Sequence, residues 1–433
     1  MDADRLLRFK PGKTAADVDR AIAHLARCAY ANVPAVRQRL DAARIPPQEI
    51  ASARALAQLP AVRRSALSGE TIAPHLHCQA DPRRCHVTTT TGSTGQPVTV
   101  LASRTEAWFR RYLIYRAVRR TARVGLPLRI LEFTSGISHR MARPIVRWGA
   151  VTVVRIPAFS PVEDELRLFR TCRPHLVEGF PTRLELFAEA TRTADLGAWR
   201  PRAVITRGEL LHETVRAKIR AAFDCPVIDF YNCEEVGNIA WECPDRPRRY
   251  HVNTDACFLE ILDENDAPLP AGEEGQIVLT NLYNCTRPFL RYAIGDRGVL
   301  ASPDPTPCSC GATTPILATL SGRDMDFVYL PDGRRVSPAV IATVIDNAAT
   351  ALNPDGSYPV GLRRFQLVQE EIGAIRVRVV LAPDTELDLE GILLPPLQAL
   401  HPGLRCVVER VNGIPLEPGG KFREVVCRVQ PAG

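Results

Sequence analysis

The sequence predicts an α/β protein: a large N-terminal domain with mostly parallel sheets and a small β-subdomain, then a small α+β C-terminal domain. Three observations predict it. First, 433 residues of ordinary globular composition supply core for two to three domains. Second, between 128 and 230 short apolar runs alternate with helical stretches of about a dozen residues, the order of strand–helix–strand units in a sheet covered on both faces. Third, the texture changes after Ser321, Gly322 and Arg323, and the remaining stretch of about 110 residues reads as a compact α+β unit.

Composition excludes several classes. No apolar run reaches 18 residues, so no membrane span is expected. The first residues lack an apolar core of the kind that directs export. Thirteen cysteines in a chain this long suit a reduced cytoplasm better than a secreted disulfide scaffold. The net charge is +7, but the arginines are spread evenly and no basic block is interleaved with aromatics, which disfavours nucleic acid. Only four lysines (Lys10, Lys13, Lys218, Lys421) stand against fifty-one arginines. A lysine kept in a glycine turn therefore invites a chemical explanation, since a compact ammonium and a planar fork are not interchangeable.

In chain order, residues 1–85 read as helices and loops, with helical apolar spacing over 15–30, 33–44 and 48–67. Residues 88–97 are four threonines followed by Gly92, Ser93, Thr94, Gly95, Gln96 and Pro97. Glycines let backbone N–H groups approach an anion and hydroxyls add donors, so the stretch suits phosphate oxygens; a Thr/Gly hairpin turn explains it equally. It is not the common nucleotide loop, because no lysine follows Gly95. A helix is expected over 105–120, with Trp108, Leu113 and Val118 on or near its core face. Strands follow at 128–133, 151–156, 176–178, 203–206 and 227–230, and helices at 162–172, 183–193 and 212–223. Ligands of such sheets gather beyond the carboxyl ends of strands, which singles out Arg207, Gly208 and Glu209, and Tyr231 to Glu235. Residues 256–262, 275–282 and 298–300 read as antiparallel strands. The tail shows a strand over 327–330, a turn at Pro331, Asp332 and Gly333, a helix over 338–351, and strands over 365–370 and 375–381.

A second constellation is made of thiols. Cys243 and His251 are followed much later by Cys308, Cys310 and Gly311. Two thiolates one residue apart form a tight knuckle, and a third thiolate with an imidazole would complete a tetrahedral Cys₃His zinc site. The spacing is not that of a standard finger, and buried thiols are common core residues; Cys233 and Cys257 are nearby reserves.

The order Thr90 to Pro97, Gly208-Glu209, Tyr231 to Glu235, Arg291 to Asp296, Gly322-Arg323 and Pro418 to Lys421 resembles the adenylate-forming superfamily, and within it the phenylacetate–CoA ligase-like branch, from about residue 85 to the C-terminus. The resemblance implies a domain over 1–321 with its β-subdomain at about 240–320, a hinge at 322–326, and a mobile lid over 327–433. It implies that Thr90, Thr91, Gly92, Ser93, Thr94 and Gly95 close over the β- and γ-phosphates of ATP. Glu235 would hold Mg²⁺, a hard cation suited to carboxylate oxygen. Tyr231, beside Asn232, would pack on adenine, with Gly208 and Glu209 lining the ring's other side. Asp296 would accept from the ribose hydroxyls, and Arg323 would lie near ribose and phosphate. Lys421 would swing in to bridge the attacking carboxylate and the α-phosphate, where charge gathers in the transition state. Some members of the branch bind zinc at positions like Cys243, His251, Cys308 and Cys310.

Three departures stand out. Asn232 replaces a usual glycine, Gln96 a frequent lysine, and Met325 the first of two hinge aspartates, which moves the expected hinge to Asp324 or Asp326. The function implied is ATP-dependent activation of an acid, by default aromatic or arylacetic, and transfer to the thiol of coenzyme A or a carrier-protein phosphopantetheine. Phe133, Ser135, Gly136, His139 and Phe180 follow strands and are pocket candidates. The alternatives are transfer to an amine, AMP transfer to a hydroxyl, and a non-catalytic binding protein on the same fold. A homodimer is the self-association considered.

Overall fold

A computed structural model describes residues 13–67, 71–89, 98–134, 145–157, 160–192, 194, 199–303, 306, 308–350, 362–382, 385–417 and 421–429. The chain divides into two compact units, 1–126 with 228–320 and 127–227 with 321–433.

The first unit begins with the helix Ala15–Asn32, opened by a reciprocal Thr14–Asp17 capping box, and the helix Pro34–Ala42, which starts on proline. Val18, Ile22, Leu25, Ala26, Val36 and Leu40 pack with Leu282 and Leu290. The stretch 48–67 is not one long helix. It forms two single turns, Ala53–Leu56 and Arg64–Leu67. Pro60 lacks the N–H that a continuing helix needs and pushes Leu59 out of the helical region. Val62 instead pairs as a bridge, donating its N–H to the Arg291 carbonyl at 2.7 Å. The helix Arg104–Ala122 starts on a Ser103–Glu106 capping box and buries Leu113, Ala117 and Val118. Trp108 differs from expectation: it is 49% exposed and stacks on Tyr112, the partly buried ring that itself packs against the core.

Seven strands of this unit lie in the order Cys257–Leu262, Glu274–Asn281, Tyr292–Leu300, Ile316–Arg323, Arg246–Val252, Gly237–Cys243 and Val227–Cys233. The strand Val227–Cys233 pairs antiparallel with Gly237–Cys243. Only three residues join the two, too few for the crossover that a parallel pair requires.

In the second unit the strands run Ala203–Arg207, Leu176–Gly179, Leu128–Thr134, Val151–Pro157 and Ile145–Trp148. The first four are parallel neighbours and the last is an antiparallel edge. The helices Val162–Cys172, Pro181–Thr191 and Glu213–Phe223 bring Phe169, Leu184, Phe187, Ile219 and Phe223 onto Leu131, Val154, Ile156, Val177 and Val204.

The tail carries its own four-stranded sheet, Arg405–Arg410, Ala374–Leu381, Leu362–Glu371 and Val425–Cys427. The helices Pro338–Thr350 and Leu389–Gln398 cover it through Ile341, Ile345, Leu393 and Leu397. Strand alternation puts Leu367, Val377 and Val379 under them.

Candidate active site

Gly208 follows the strand Ala203–Arg207 with φ +79°, a conformation that L side chains rarely adopt. A Cβ there would stand 2.8 Å from Phe180 Cε1 and 3.6 Å from Lys421 Cε. Lys421 Nζ lies over the Phe180 ring at 5.5 Å from its centroid, a cation–π contact. Glu209 joins the same group. Its Oε2 accepts from Thr182 N at 3.1 Å and Thr182 Oγ1 at 2.7 Å, so it caps the helix Pro181–Thr191. Its Oε1 accepts from Phe422 N at 2.7 Å, immediately beyond Lys421. Burial pushes the Glu209 carboxyl above the usual carboxylate range, and the Phe422 amide and Thr182 donors pull it back. Two residues further on, the Glu424 carboxylate meets Nε2 of buried His212.

Arg323 ends its strand, and its charge with that of Arg423 opposes the burial that raises Asp326. Arg423 is ion-paired with Asp326, so the acidic residues at 324 and 326 differ: Asp326 is buried and Asp324 meets Arg335 at 3.4 Å. Phe133 is 1% exposed and packs on Phe187 at 5.1 Å between centroids. That is the position of a core residue, whereas Phe180 is the aromatic beside Lys421.

In the first unit, buried Tyr231 donates its hydroxyl to Asp296 Oδ2 at 2.6 Å, so the aromatic and the carboxylate of two separate motifs meet. The strand register shifts between Tyr231 and Asn232. There the Asn232 Oδ1 accepts from Asn238 Nδ2 at 3.0 Å, and Asn253 extends the ladder to Asn238. Glu235 is 4% exposed; its Oε1 accepts from the Tyr292 hydroxyl at 2.9 Å and its carbonyl from Asn281 Nδ2 at 3.0 Å. Burial and then the Glu235 charge push the Tyr292 hydroxyl upward, so it stays a donor. Arg287 is buried too; burial lowers it to about 10 while Glu235 supports its charge. A carboxylate held by a phenol donor, with nucleotide phosphates as further oxygen ligands, fits a hard divalent cation.

The hairpin of Gly237–Cys243 and Arg246–Val252 carries Cys243 and His251, and its bulge lets Arg248 N donate to Glu242 Oε1 at 2.7 Å. Cys243, His251, Cys308 and Cys310 bring one ligand atom each within 4.8 Å of one another. Cys243 Sγ and Cys308 Sγ are 3.5 Å apart, and Cys310 Sγ and His251 Nε2 3.2 Å. Two thiolates on tetrahedral zinc stand about 3.8 Å apart, so this closed set of three sulfurs and one imidazole fits that ion.

Thr90, Thr91, Gly92, Ser93, Thr94, Gly95, Ser135, Gly136 and His139 lie outside the described residues. Sequence reasoning missed Thr182, His212, Glu424, Arg287 and Tyr292. Tyr292 stood inside the motif ending at Asp296 and Glu424 three residues past Lys421; the other three left no signal. It also missed a charged face on the parallel strands. There Arg207 meets Glu132 at 2.6 Å and Glu178 at 2.8 Å, and Arg155 meets Glu132 at 2.9 Å. Burial opposes the ionisation of both acids, yet Arg207 and Arg155 hold Glu132 low while Glu178 stays raised.

No protein-family model matches the chain. It is 25% identical over 285 residues to the phenylacetate-coenzyme A ligase of Escherichia coli (strain K12), a match covering 62% of this chain and 63% of that one. It is 21% identical over 324 residues to protein CapK of Staphylococcus aureus, covering 73% of this chain and 66% of CapK. Each match therefore spans slightly under two thirds of the relative's length. A solved 2-hydroxyisobutyryl-CoA ligase, in its postadenylation state with R3-HIB-AMP, shares the fold: TM-score 0.75 at 18% identity, over 95% of this chain and 89% of that one. These sequence relatives and the shared fold support the resemblance that the motifs carry, to the adenylate-forming superfamily and its phenylacetate–CoA ligase-like branch.

Proposed function

We propose that the protein activates a small carboxylic acid with ATP, forming an acyl-adenylate and pyrophosphate, and then passes the acyl group to the thiol of coenzyme A. The observation that carries this reading is the setting of Lys421. One of four lysines in an arginine-rich chain, it sits over the Phe180 ring beside a glycine that leaves room for it. There its ammonium would neutralise charge on the α-phosphoryl oxygens as the acid's carboxylate attacks. Asp296 would hold the ribose hydroxyls and Tyr231 would face the adenine, and the hydroxyls and amides of Thr90 to Gly95 would bind the phosphates. Glu235 would hold Mg²⁺, positioned by Tyr292, and the ion would supply charge neutralisation at the phosphates. Zinc on Cys243, His251, Cys308 and Cys310 would be structural, since four protein ligands leave no open position. Arg323 would act near ribose and phosphate, at a hinge over 322–326 that frees the lid 327–433.

An aromatic or arylacetic acid is the favoured substrate, on the strength of the phenylacetate–CoA ligase relatives. The 2-hydroxyisobutyryl-CoA ligase makes short hydroxy acids the first competitor to test. Thirteen cysteines suit a reducing cytoplasm. Among the described residues no helix is long and apolar enough to cross a membrane. The deciding experiment is acid-dependent ATP–pyrophosphate exchange with aromatic, hydroxy, aliphatic and amino acids, followed by thioester analysis with and without coenzyme A. Exchange with an aromatic acid and a coenzyme A thioester is expected. Exchange with no acid in the panel refutes the reading, and adducts formed only with amines refute the acceptor.

A further inference from the structure

Two ties bind the Lys421 turn to the segment 180–212, and both fall within three residues of the ammonium. The first is the Glu209 carboxylate, whose oxygens have different duties. One is fixed to the start of the helix Pro181–Thr191 through Thr182, and the other receives the Phe422 amide at 2.7 Å. The second is the contact of buried His212 Nε2 with the carboxylate of Glu424, whose backbone carbonyl at the same time accepts from Leu367 N at 2.7 Å inside the tail's own sheet. Phe422 and Glu424 thus grip the segment on either side of Arg423, and Arg423 turns to Asp326 within the tail. Glu417 N donates to the Lys421 carbonyl at 2.8 Å. A backbone amide held beside a reactive side chain sets where that side chain can reach.

We propose that Glu209 and His212 are positioning residues that form a catch, holding the Lys421 turn in place for adenylation and releasing it for thioester formation. This rests on the adenylation reading above, in which Lys421 acts on the α-phosphate. The role differs from lining adenine, which Glu209's place in the sequence implies, because both of its oxygens are engaged elsewhere. A carboxylate suits a catch: it accepts from a helix start and a passing amide at once, and either bond opens without leaving a buried cation alone.

The test uses the full-length protein and the variants Glu209→Gln, Glu424→Gln, their double, and Thr182→Val. Hydrogen–deuterium exchange of the 421–425 amides reads the catch without any substrate. Glu209→Gln and Glu424→Gln should each speed it, and unchanged exchange in both overturns the proposal. ATP–pyrophosphate exchange should fall about 10- to 100-fold in Glu209→Gln with KM for ATP within about twofold, as expected for a misplaced group rather than lost binding. Thioester formation from supplied acyl-adenylate should hold or rise. Thr182→Val removes the hydroxyl from the capping side only and keeps the Thr182 N–H and the Phe422 contact, so it should lower thermal stability and cost less pyrophosphate exchange than Glu209→Gln. Equal loss of both half-reactions, or equal loss in Thr182→Val and Glu209→Gln, overturns the positioning role. Wild-type protein without pyrophosphate exchange would sink the adenylation reading and the positioning role with it, while deuterium exchange would still decide whether the contact exists.

Discussion

Gly208→Ala is the substitution whose cost is easiest to work from geometry. The residue has φ +79°, where a Cβ costs about 1–2 kcal/mol in backbone strain. The new Cβ would also stand 2.8 and 3.1 Å from Phe180 Cε1 and Cδ1, closer than carbon atoms tolerate, and 3.6 Å from Lys421 Cε. The phenyl ring must move by roughly 1 Å to restore ordinary contact at about 3.5–4.0 Å. Lys421 Nζ rests over that ring, so the ammonium moves too. A displacement of about 1 Å at a group stabilising a transition state costs up to about 100-fold in rate. Gly333→Ala is the matched control: φ is +85° and a Cβ there meets nothing within 4 Å. Both variants should lose thermal stability from the shared backbone strain, Gly208→Ala the more because its Cβ also displaces Phe180. Only Gly208→Ala should lose pyrophosphate exchange, by about 10- to 100-fold. Exchange within twofold of wild type in Gly208→Ala would refute the packing argument for how Lys421 is placed.

Tyr292→Phe removes the donor that holds Glu235 Oε1 at 2.9 Å while keeping the buried ring. It should raise the Mg²⁺ concentration needed for half-maximal exchange by about 10- to 100-fold, the usual cost of losing such an outer partner; an unchanged Mg²⁺ titration refutes that role. Metal analysis of the purified protein should find one zinc per chain, lost in Cys243→Ser and His251→Ala, with a lower melting temperature that added chelator reproduces in wild type. Wild-type protein free of zinc after metal-supplemented expression would sink the Cys₃His assignment. Alkaline pH gives a signed expectation. Burial holds the thiols of Cys225 and Cys257 up at about 12, whereas unfolded thiols ionise near pH 8.5. The folded state therefore keeps protons that the unfolded state gives up. Stability is complete below about pH 8.5 and falls towards pH 12, by up to about 1.4 kcal/mol per pH unit for each thiol. Melting temperatures from pH 8 to 11 should fall less steeply in the Cys225→Ala, Cys257→Ala double variant; equal slopes would show that other groups control the loss.

Strand–helix alternation was legible over most of 128–223 because apolar runs there alternate with helical stretches of about a dozen residues that show their own period. The β-subdomain was legible only in part. In Gly237–Cys243 every residue is buried, so no alternation marks it as a strand. In Arg246–Val252 the first four residues are exposed and a bulge breaks the pairing. Edge and terminal pieces such as Ile145–Trp148 and Val425–Cys427 are too short to carry a period. Trp108 was misread for a different reason: five residues set it about 140° round the helix from Leu113, so it meets the core only through the ring of Tyr112 and is itself 49% exposed. The thiol cluster was legible through residue type, since sulfur and imidazole announce their chemistry whatever fold assembles them.

Glu209 marks where such reading stops. Its motif names a place along the chain, while its partners are chosen by packing: Phe422 lies 213 residues away and Thr182 lies 27. A carboxylate after a strand-ending glycine suits a nucleotide rim, a helix cap or a docking contact equally well, and nothing local separates the three. What separates them is that a helix start and the amide after Lys421 reach the same side chain, one oxygen each. The helix contact stays within the segment 180–212, but the amide is that of Phe422, next to Lys421. On the positioning role proposed for Glu209, loss of the first contact should cost stability and loss of the second should cost reach, so a carboxylate serving both would tie the fold of this segment to the timing of Lys421.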